Sequence, residues 1–260
     1  MSLLDARDSV LFVHAHPDDE TISTGALIAE LVARNIRVFL LTATRGERGE
    51  VVPGPLANLA GTEELTRVRE QELQQAAQTL GIERQFWLGE PPARATGRAA
   101  RRYRDSGMRW IHAGLAGPAD DTDDQSLVAA PLDEVTEDVS ALIEWLNPSL
   151  VVSYDENGGY GHPDHVRIRE AALAASGAQT IPFAEILPAA TPTAPPDGDD
   201  DGPGGPGSTD AEYFTLDAHL ETLKAALASH ATQLTVDGPE IIHSGGQRQP
   251  IETAVGLRLV

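Results

Sequence analysis

Apolar positions fall into short continuous runs separated by stretches with a period of three to four. "SVLFVHA" is a β-rich run of the first kind, and behind it Ile22, Ala26, Ala29 and Val32 recur at helical spacing. A strand, a loop and a helix are expected. "IRVFLLTAT" is nearly continuous, as in a strand covered on both faces of a parallel sheet. "TEELTRVREQELQQAAQTLGI" opens with a capping signature, runs helically and stops at Gly81, after which "RQFWLG" can form a third strand.

Residues 90–131 show no clear periodicity; "RRYRDSGM" is expected to be ordered and "ADDTDD" solvated. "PLDEVTEDVSALIEWLNPSL" reads as a helix closed by Asn147 and Pro148, "LVVSYDE" as a strand, and "HPDHVRIREAALAASG" as the start of another helix. "YFTLDAHLETLKAALASHATQL" reads as an amphipathic helix followed by short strands. Strands alternating with helices predict an α/β fold: a Rossmann-like open sheet, mostly parallel, with helices on both faces and a small mixed segment at the C-terminal end. Residues 1–187 are expected to form the main domain. Residues 188–211, rich in proline, glycine and aspartate, lack the apolar bulk to offset their ordering entropy and read as a disordered linker or loop; residues 212–260 then complete the same domain.

Composition narrows the function. Forty acidic residues against nineteen basic ones give a formal charge of −21, which repels phosphate backbones and anionic bilayers, so neither a nucleic-acid nor a membrane partner is expected. The chain has no cysteine, so any metal must be held by nitrogen and oxygen. The start "MSLLDARDSV" has no basic and apolar targeting pattern, and a cytoplasmic location is expected.

Two clusters carry candidate chemistry. "HAHPDDE" and "GYGHPDH" have the same make-up, and each follows an apolar strand. Ligand sites in open α/β sheets lie beyond the carboxyl ends of strands, so loops distant in sequence can converge there. His16 and Asp19 are one turn apart and can reach one ion, with His165 as the third ligand; a hydrolytic zinc site keeps three protein ligands and an open position. Asp18 is then a carboxylate beside the metal, placed to act as general base on a water. His162 can stabilise a tetrahedral oxyanion or protonate a leaving amine. Asp164 can orient His162, and Tyr160 can supply a further hydrogen bond. Taken singly, a His-Pro turn or an aspartate before a helix is more often structural.

With both clusters in view, the chain resembles the LmbE/PIG-L family of zinc-dependent de-N-acetylases, whose two motifs read here as "AHPDDE" and "HPDH". The resemblance covers residues 10–187 and continues more weakly into "SHATQ". Within the family, "YDENGGYGHPDH" is most similar to the mycothiol branch, which contains a deacetylase of N-acetylglucosaminyl-inositol and an S-conjugate amidase. "RDSGM" and Ser23 favour the deacetylase; "YDEN" and "GERGE" look more like the amidase. The resemblance implies one Zn2+ per chain, with Fe2+ as the alternative ion. It also implies a small-molecule amino-sugar substrate, bound with help from Arg69, Asp105, Ser23 and Met108. Arg69 could instead form a surface ion pair on its helix, and Asp105 could be a turn residue. The alternatives to N-deacetylation of the inositol glycoside are the amidase reaction, deacetylation of another N-acetylglucosaminide, and a noncatalytic sugar- or partner-binding module with a structural metal.

Overall fold

A computed structural model describes residues 2–5, 7–112, 114–188 and 211–260. Along the chain, β1 (Ser9–His14), α1 (Asp19–Ala33), β2 (Arg37–Thr42), α2 (Glu63–Leu80) and β3 (Arg84–Trp87) alternate. A hairpin, β4 (Met108–His112) and β5 (Leu115–Pro118), precedes α3 (Leu132–Leu146), β6 (Leu150–Ser153), the single turn α4 (Gly158–Gly161), α5 (Pro163–Gln179) and β7 (Phe183–Leu187). After the undescribed residues come β8 (Ala211–Thr215), α6 (Leu220–Leu227), β9 (Leu234–Asp237), β10 (Glu240–His243), β11 (Arg248–Pro250) and β12 (Ala254–Leu259).

The main sheet has the order β3-β2-β1-β6-β7-β12-β8. Its first five strands are parallel, and β12 and β8 add antiparallel. Every residue of β1 is buried because the strand is central and covered on both faces. On one face Val10, Phe12 and Leu40 pack with Leu27 and Leu31 of α1, Leu73 of α2 and Leu223 of α6. On the other, Leu11, Val13, Phe39 and Leu41 pack with Val139 and Leu142 of α3 and Ile168 of α5. Each such side chain contributes about 1.5–3 kcal/mol by leaving water.

The strand order reverses between β1 and β6, which are hydrogen-bonded neighbours. The loops leaving their carboxyl ends therefore part around one crevice. That topology brings residues 15–18 beside residues 154–162.

Local signals explain most element ends. Thr62 caps α2 by accepting from the Leu65 N–H, and Gly81 ends it at φ 79. Asn147 ends α3 in the left-handed region at φ 47. The stretch 90–131 is tied down by a buried network: Asp138 of α3 accepts from the Tyr103 hydroxyl at 2.7 Å, from Arg94 at 2.8 Å and from the Ala95 N–H at 2.8 Å. Asp120, Asp121 and Asp124 are exposed, as expected of "ADDTDD".

Two elements differ from the sequence reading. The hairpin β4–β5 lies inside the stretch that shows no periodicity. The helix expected from "YFTLDAHLETLKAALASHATQL" is confined to α6: Tyr213, Phe214 and Thr215 extend the sheet as β8, and "SHATQ" is a turn whose backbone folds back on α6 through His230 N–H to Leu227 O, 3.0 Å. The linker expected at 188–211 falls, from 189 to 210, outside the described residues.

Candidate active site

Asp18 stands where the chain turns from β1 into α1, with φ 100, a conformation a side-chain-bearing residue rarely adopts. The surroundings fix that turn. The Asp18 N–H donates to Glu20 Oε2 at 3.1 Å, and its carbonyl accepts from Thr21 and Ile22 in the first turn of α1. Its half-buried carboxylate accepts no hydrogen bond from any described residue. Desolvation and the neighbouring Asp19 charge push it up to about 8.

Asp19 Oδ2 is a hub. It accepts from the His16 N–H at 2.9 Å and the Tyr154 hydroxyl at 2.8 Å, and lies 3.2 Å from His16 Nδ1 and 3.3 Å from His165 Nε2. Burial alone would raise this carboxyl, but His165 and His16 hold it well below its usual range. His165 Nδ1 lies 3.1 Å from the Gly158 carbonyl, an acceptor that would keep a proton on Nδ1 and free the Nε2 lone pair once a cation stood between Nε2 and Asp19. That Nε2 is buried and, apart from the Asp19 carboxylate at 3.3 Å, has no polar partner among the described residues. Gly158, at φ 65, permits this approach: a Cβ there would lie 2.8 Å from the His165 Cβ.

His16 is held from two sides. Its Nε2 lies 3.1 Å from Asp164 Oδ2 and 3.7 Å from Asp105 Oδ1. Although burial pulls the imidazolium down, Asp105, Asp164 and Asp19 together hold it well above the ordinary histidine value. Asp164, wholly buried at the start of α5, also accepts from the N–H of Ser106 at 2.9 Å and from its hydroxyl. The expected orientation of His162 by Asp164 thus arises through the backbone: the Asp164 N–H donates to His162 Nδ1 at 3.1 Å, while the carboxylate belongs to His16. Residues two apart at a helix start do not face one another, so the carboxylate turns into the site instead. With Nδ1 accepting, neutral His162 carries its proton on Nε2. Burial and the neighbouring imidazoles push His162 down to about 2, which favours the neutral ring.

The expected ligands His16, Asp19 and His165 are therefore neighbours, joined through Asp19 Oδ2. Among the described residues, donor atoms all lie within 4.8 Å of one another in two groups, His16 with His162 and His165, and His16 with Asp105 and Asp164; Asp19 belongs to neither and touches His16 and His165 pairwise. The donor set of imidazole and carboxylate suits a divalent first-row ion, and the buried His165 Nε2 is the atom such an ion would satisfy.

Of the expected substrate residues, Asp105 is buried, facing His16; its carboxylate also accepts from the N–H groups of Gly107 at 2.8 Å and Arg48 at 3.2 Å, a turn contact as well as a site contact. Arg69 is not a surface ion pair: it is 2% exposed, and its guanidinium donates to the carbonyls of Gly46 and Glu50 and to Thr232. Met108 begins β4 and is half-buried, and Ser23 lies half-buried one turn beyond Asp19. Tyr160 projects from α4 with its ring 5.1 Å from that of His165.

Four residues escaped the sequence reading. Tyr154 stacks on His165 with centroids 4.1 Å apart and donates to Asp19; its only signal was its place directly after β6. Ser106 sits within "RDSGM". Glu20 and His230 form a wholly buried pair, His230 Nε2 to Glu20 Oε1 at 3.1 Å, that links the "SHATQ" turn to the Asp18 backbone. Replacing His230 by alanine leaves the Glu20 carboxylate buried without its cation and is expected to cost about 3–5 kcal/mol, read as a lowered urea midpoint of the metal-loaded protein.

A family profile described as PIG-L, GlcNAc-PI de-N-acetylase, matches residues 11–176. A Kineococcus radiotolerans protein named 1D-myo-inositol 2-acetamido-2-deoxy-alpha-D-glucopyranoside deacetylase is 36% identical, the match covering 99% of this chain and 78% of that one. A protein of the same name from Mycolicibacterium vanbaalenii is 38% identical over 94% of this chain and 87% of its own. The fold resembles that of N,N'-diacetylchitobiose deacetylase from Pyrococcus horikoshii, with a TM-score of 0.56 and 20% identity over 87% of this chain and 71% of that one.

Proposed function

The chain belongs to the PIG-L family of de-N-acetylases, and on that footing we propose that it is a metal-dependent hydrolase that removes the acetyl group from 1D-myo-inositol 2-acetamido-2-deoxy-alpha-D-glucopyranoside. One observation carries the chemistry. Asp19 Oδ2 lies between His16 Nδ1 and the buried His165 Nε2, and the neighbouring Asp18 carboxylate accepts no hydrogen bond from any described residue.

His16, Asp19 and His165 would hold the ion, and zinc is the reading the donor set and family support; a ferrous ion fits the same donors. A divalent ion there supplies Lewis acidity, polarising the amide carbonyl and acidifying a water. Asp164 accepts the Nε2 proton of His16 and leaves its Nδ1 lone pair for the metal, an outer carboxylate of the kind that fixes ligand orientation. Tyr154 does the same for Asp19.

Asp18 takes the proton of the attacking water as the oxygen bonds to the carbonyl carbon. His162 donates its Nε2 proton as a hydrogen bond to the developing oxyanion. A neutral imidazole suits that role better than that of a proton source. The carbon–nitrogen bond then breaks, the amine nitrogen receives the proton Asp18 collected, and acetate and a free amino sugar leave. Asp105, beside His16, and Tyr160, at the rim, flank the space where the sugar hydroxyls would lie.

Zinc-loaded protein incubated with the inositol glycoside is expected to release one acetate and one primary amine per substrate, faster than it cleaves the amide of a bulky mycothiol S-conjugate. Absence of acetate would remove the deacetylase reading; preference for the conjugate would move the protein to the amidase reaction.

A further inference from the structure

A group of large side chains stands in water at the rim of the site. Trp110 and Ile111 on β4 are 54% and 58% exposed, Leu115 on β5 37%, and Tyr160 on α4 39%. Scattered apolar residues are ordinary on a surface, but Trp110 and Tyr160 are neighbours and the structure fixes their direction. In the hairpin, Trp110 pairs across from Ala116. The "GYGH" turn holds the hairpin close: a Cβ on Gly161 would lie 2.9 Å from Leu115 Cδ1 and 3.0 Å from the Ala116 carbonyl oxygen.

On the same turn, the Tyr160 ring lies 5.7 Å from that of Trp110 on one side and 5.1 Å and 6.1 Å from His165 and His162 on the other. Successive residues of a strand point to opposite faces, so Met108 and Trp110 share the face toward Tyr160. Ile111 points the other way, over Gly117, where a Cβ would lie 2.6 Å from its Cδ1. A continuous aromatic surface thus runs from the imidazoles to the rim. One ring separates Trp110 from the imidazoles, which places it out of reach of the acetamido group and within reach of the next ring of a substrate.

We infer that Trp110, continued by Tyr160, is a stacking platform for a ring attached to the amino sugar, so that the protein selects glycosides bearing a cyclic aglycone over free N-acetylglucosamine. This rests on the deacetylase reading above and adds a specificity-determining contact to it. An indole face is flat, apolar and electron-rich, and it suits the C–H face of a saturated polyhydroxylated ring, whose hydroxyls then point outward to water. The patch measures on the order of a few hundred Å2. A stable protein interface takes about 800 Å2 from each side.

The test compares Trp110→Ala and Trp110→Phe with the wild type, all zinc-loaded, on N-acetylglucosaminyl-inositol and on free N-acetylglucosamine. Trp110 is more than half exposed, so neither change removes core packing. In Trp110→Ala the preference for the glycoside, as the ratio of kcat/KM values, is expected to fall about ten-fold, mostly through KM, and Trp110→Phe is expected to recover most of it. A second readout does not need turnover. Titration with the glycoside should change the tryptophan fluorescence of the wild type, and the change should vanish in Trp110→Phe.

Equal losses on both substrates, or none on the glycoside, overturn the platform and leave the deacetylase reading standing. A Trp110-dependent fluorescence change without acetate release from either sugar does the reverse. Concentration-dependent dimerisation abolished in Trp110→Ala, with KM unaltered, would assign the patch to a second copy of the chain and likewise overturn the platform.

Discussion

Asp18→Asn is expected to bind one metal per chain like the parent and to lose about 10^2–10^4 of its kcat, the range a positioned general base contributes. The substitution is isosteric. The hydrogen bonds at this turn go to the Asp18 backbone, through Glu20 and the first turn of α1, so the strained conformation at φ 100 has the same supports in the variant. The side chain changes only in its ability to accept a proton. Metal content by elemental analysis and kcat by acetate release separate the two roles: a variant that loses both has lost a ligand, and a variant with near-normal turnover removes Asp18 from the base position.

Asp18 also has a signature in the metal-free protein. Its carboxyl is raised from an ordinary value near 3.8 to about 8, because desolvation and the Asp19 charge oppose ionisation. Between those values the unfolded chain has released this proton and the folded chain retains it. Stability therefore falls as pH rises through that window and is lowest above it. The Asn variant lacks this component, so the gap in Tm between variant and parent should widen in the variant's favour from pH 5 to pH 8 when metal is absent.

How far the sequence reached depends on where each signal resides. Continuous apolar runs such as "SVLFV" and "LLTA" announce buried parallel strands, and the two His/Asp clusters directly after β1 and β6 announce a crevice, because neighbouring parallel strands release their loops at one edge. His16, Asp19 and His165 could be paired on those grounds alone. The hairpin could not: "MRWIH" mixes charge and bulk with no period of two, and "LAGP" holds a glycine and a proline, so nothing in either half reads as a strand. The helix expected through "SHATQ" fails for the opposite reason. Leu220, Leu223 and Leu227 set a helical rhythm that the alanines after them continue, whereas the chain turns at Ser229 to bring His230 onto Glu20. That pairing is a tertiary demand with no local trace. The partner of Asp164 was hidden likewise, since proximity in sequence suggested His162 and only the packed site shows Ser106 and His16 around the carboxylate.

His165→Ala and His162→Ala should part company on metal content. Geometry brings three imidazoles together, and one nitrogen from each falls within 4.8 Å of the others, so position alone does not say which two share the ion with Asp19. Hydrogen bonding does. His165 gives Nδ1 to Gly158 and holds a buried Nε2 3.3 Å from Asp19 Oδ2, where a cation between the two would take its lone pair. His162 spends Nδ1 as an acceptor for the Asp164 N–H and presents a proton at Nε2, which suits a donor to an anion and not a ligand to a cation. His165→Ala is thus expected to purify with metal well below one per chain and with activity lost to background, and to recover neither on dialysis against micromolar zinc. His162→Ala is expected to keep its metal and KM within a few-fold while kcat drops about 10^2–10^3, the cost of one oxyanion donor. Full metal loading of His165→Ala together with loss of metal from His162→Ala would exchange the two roles.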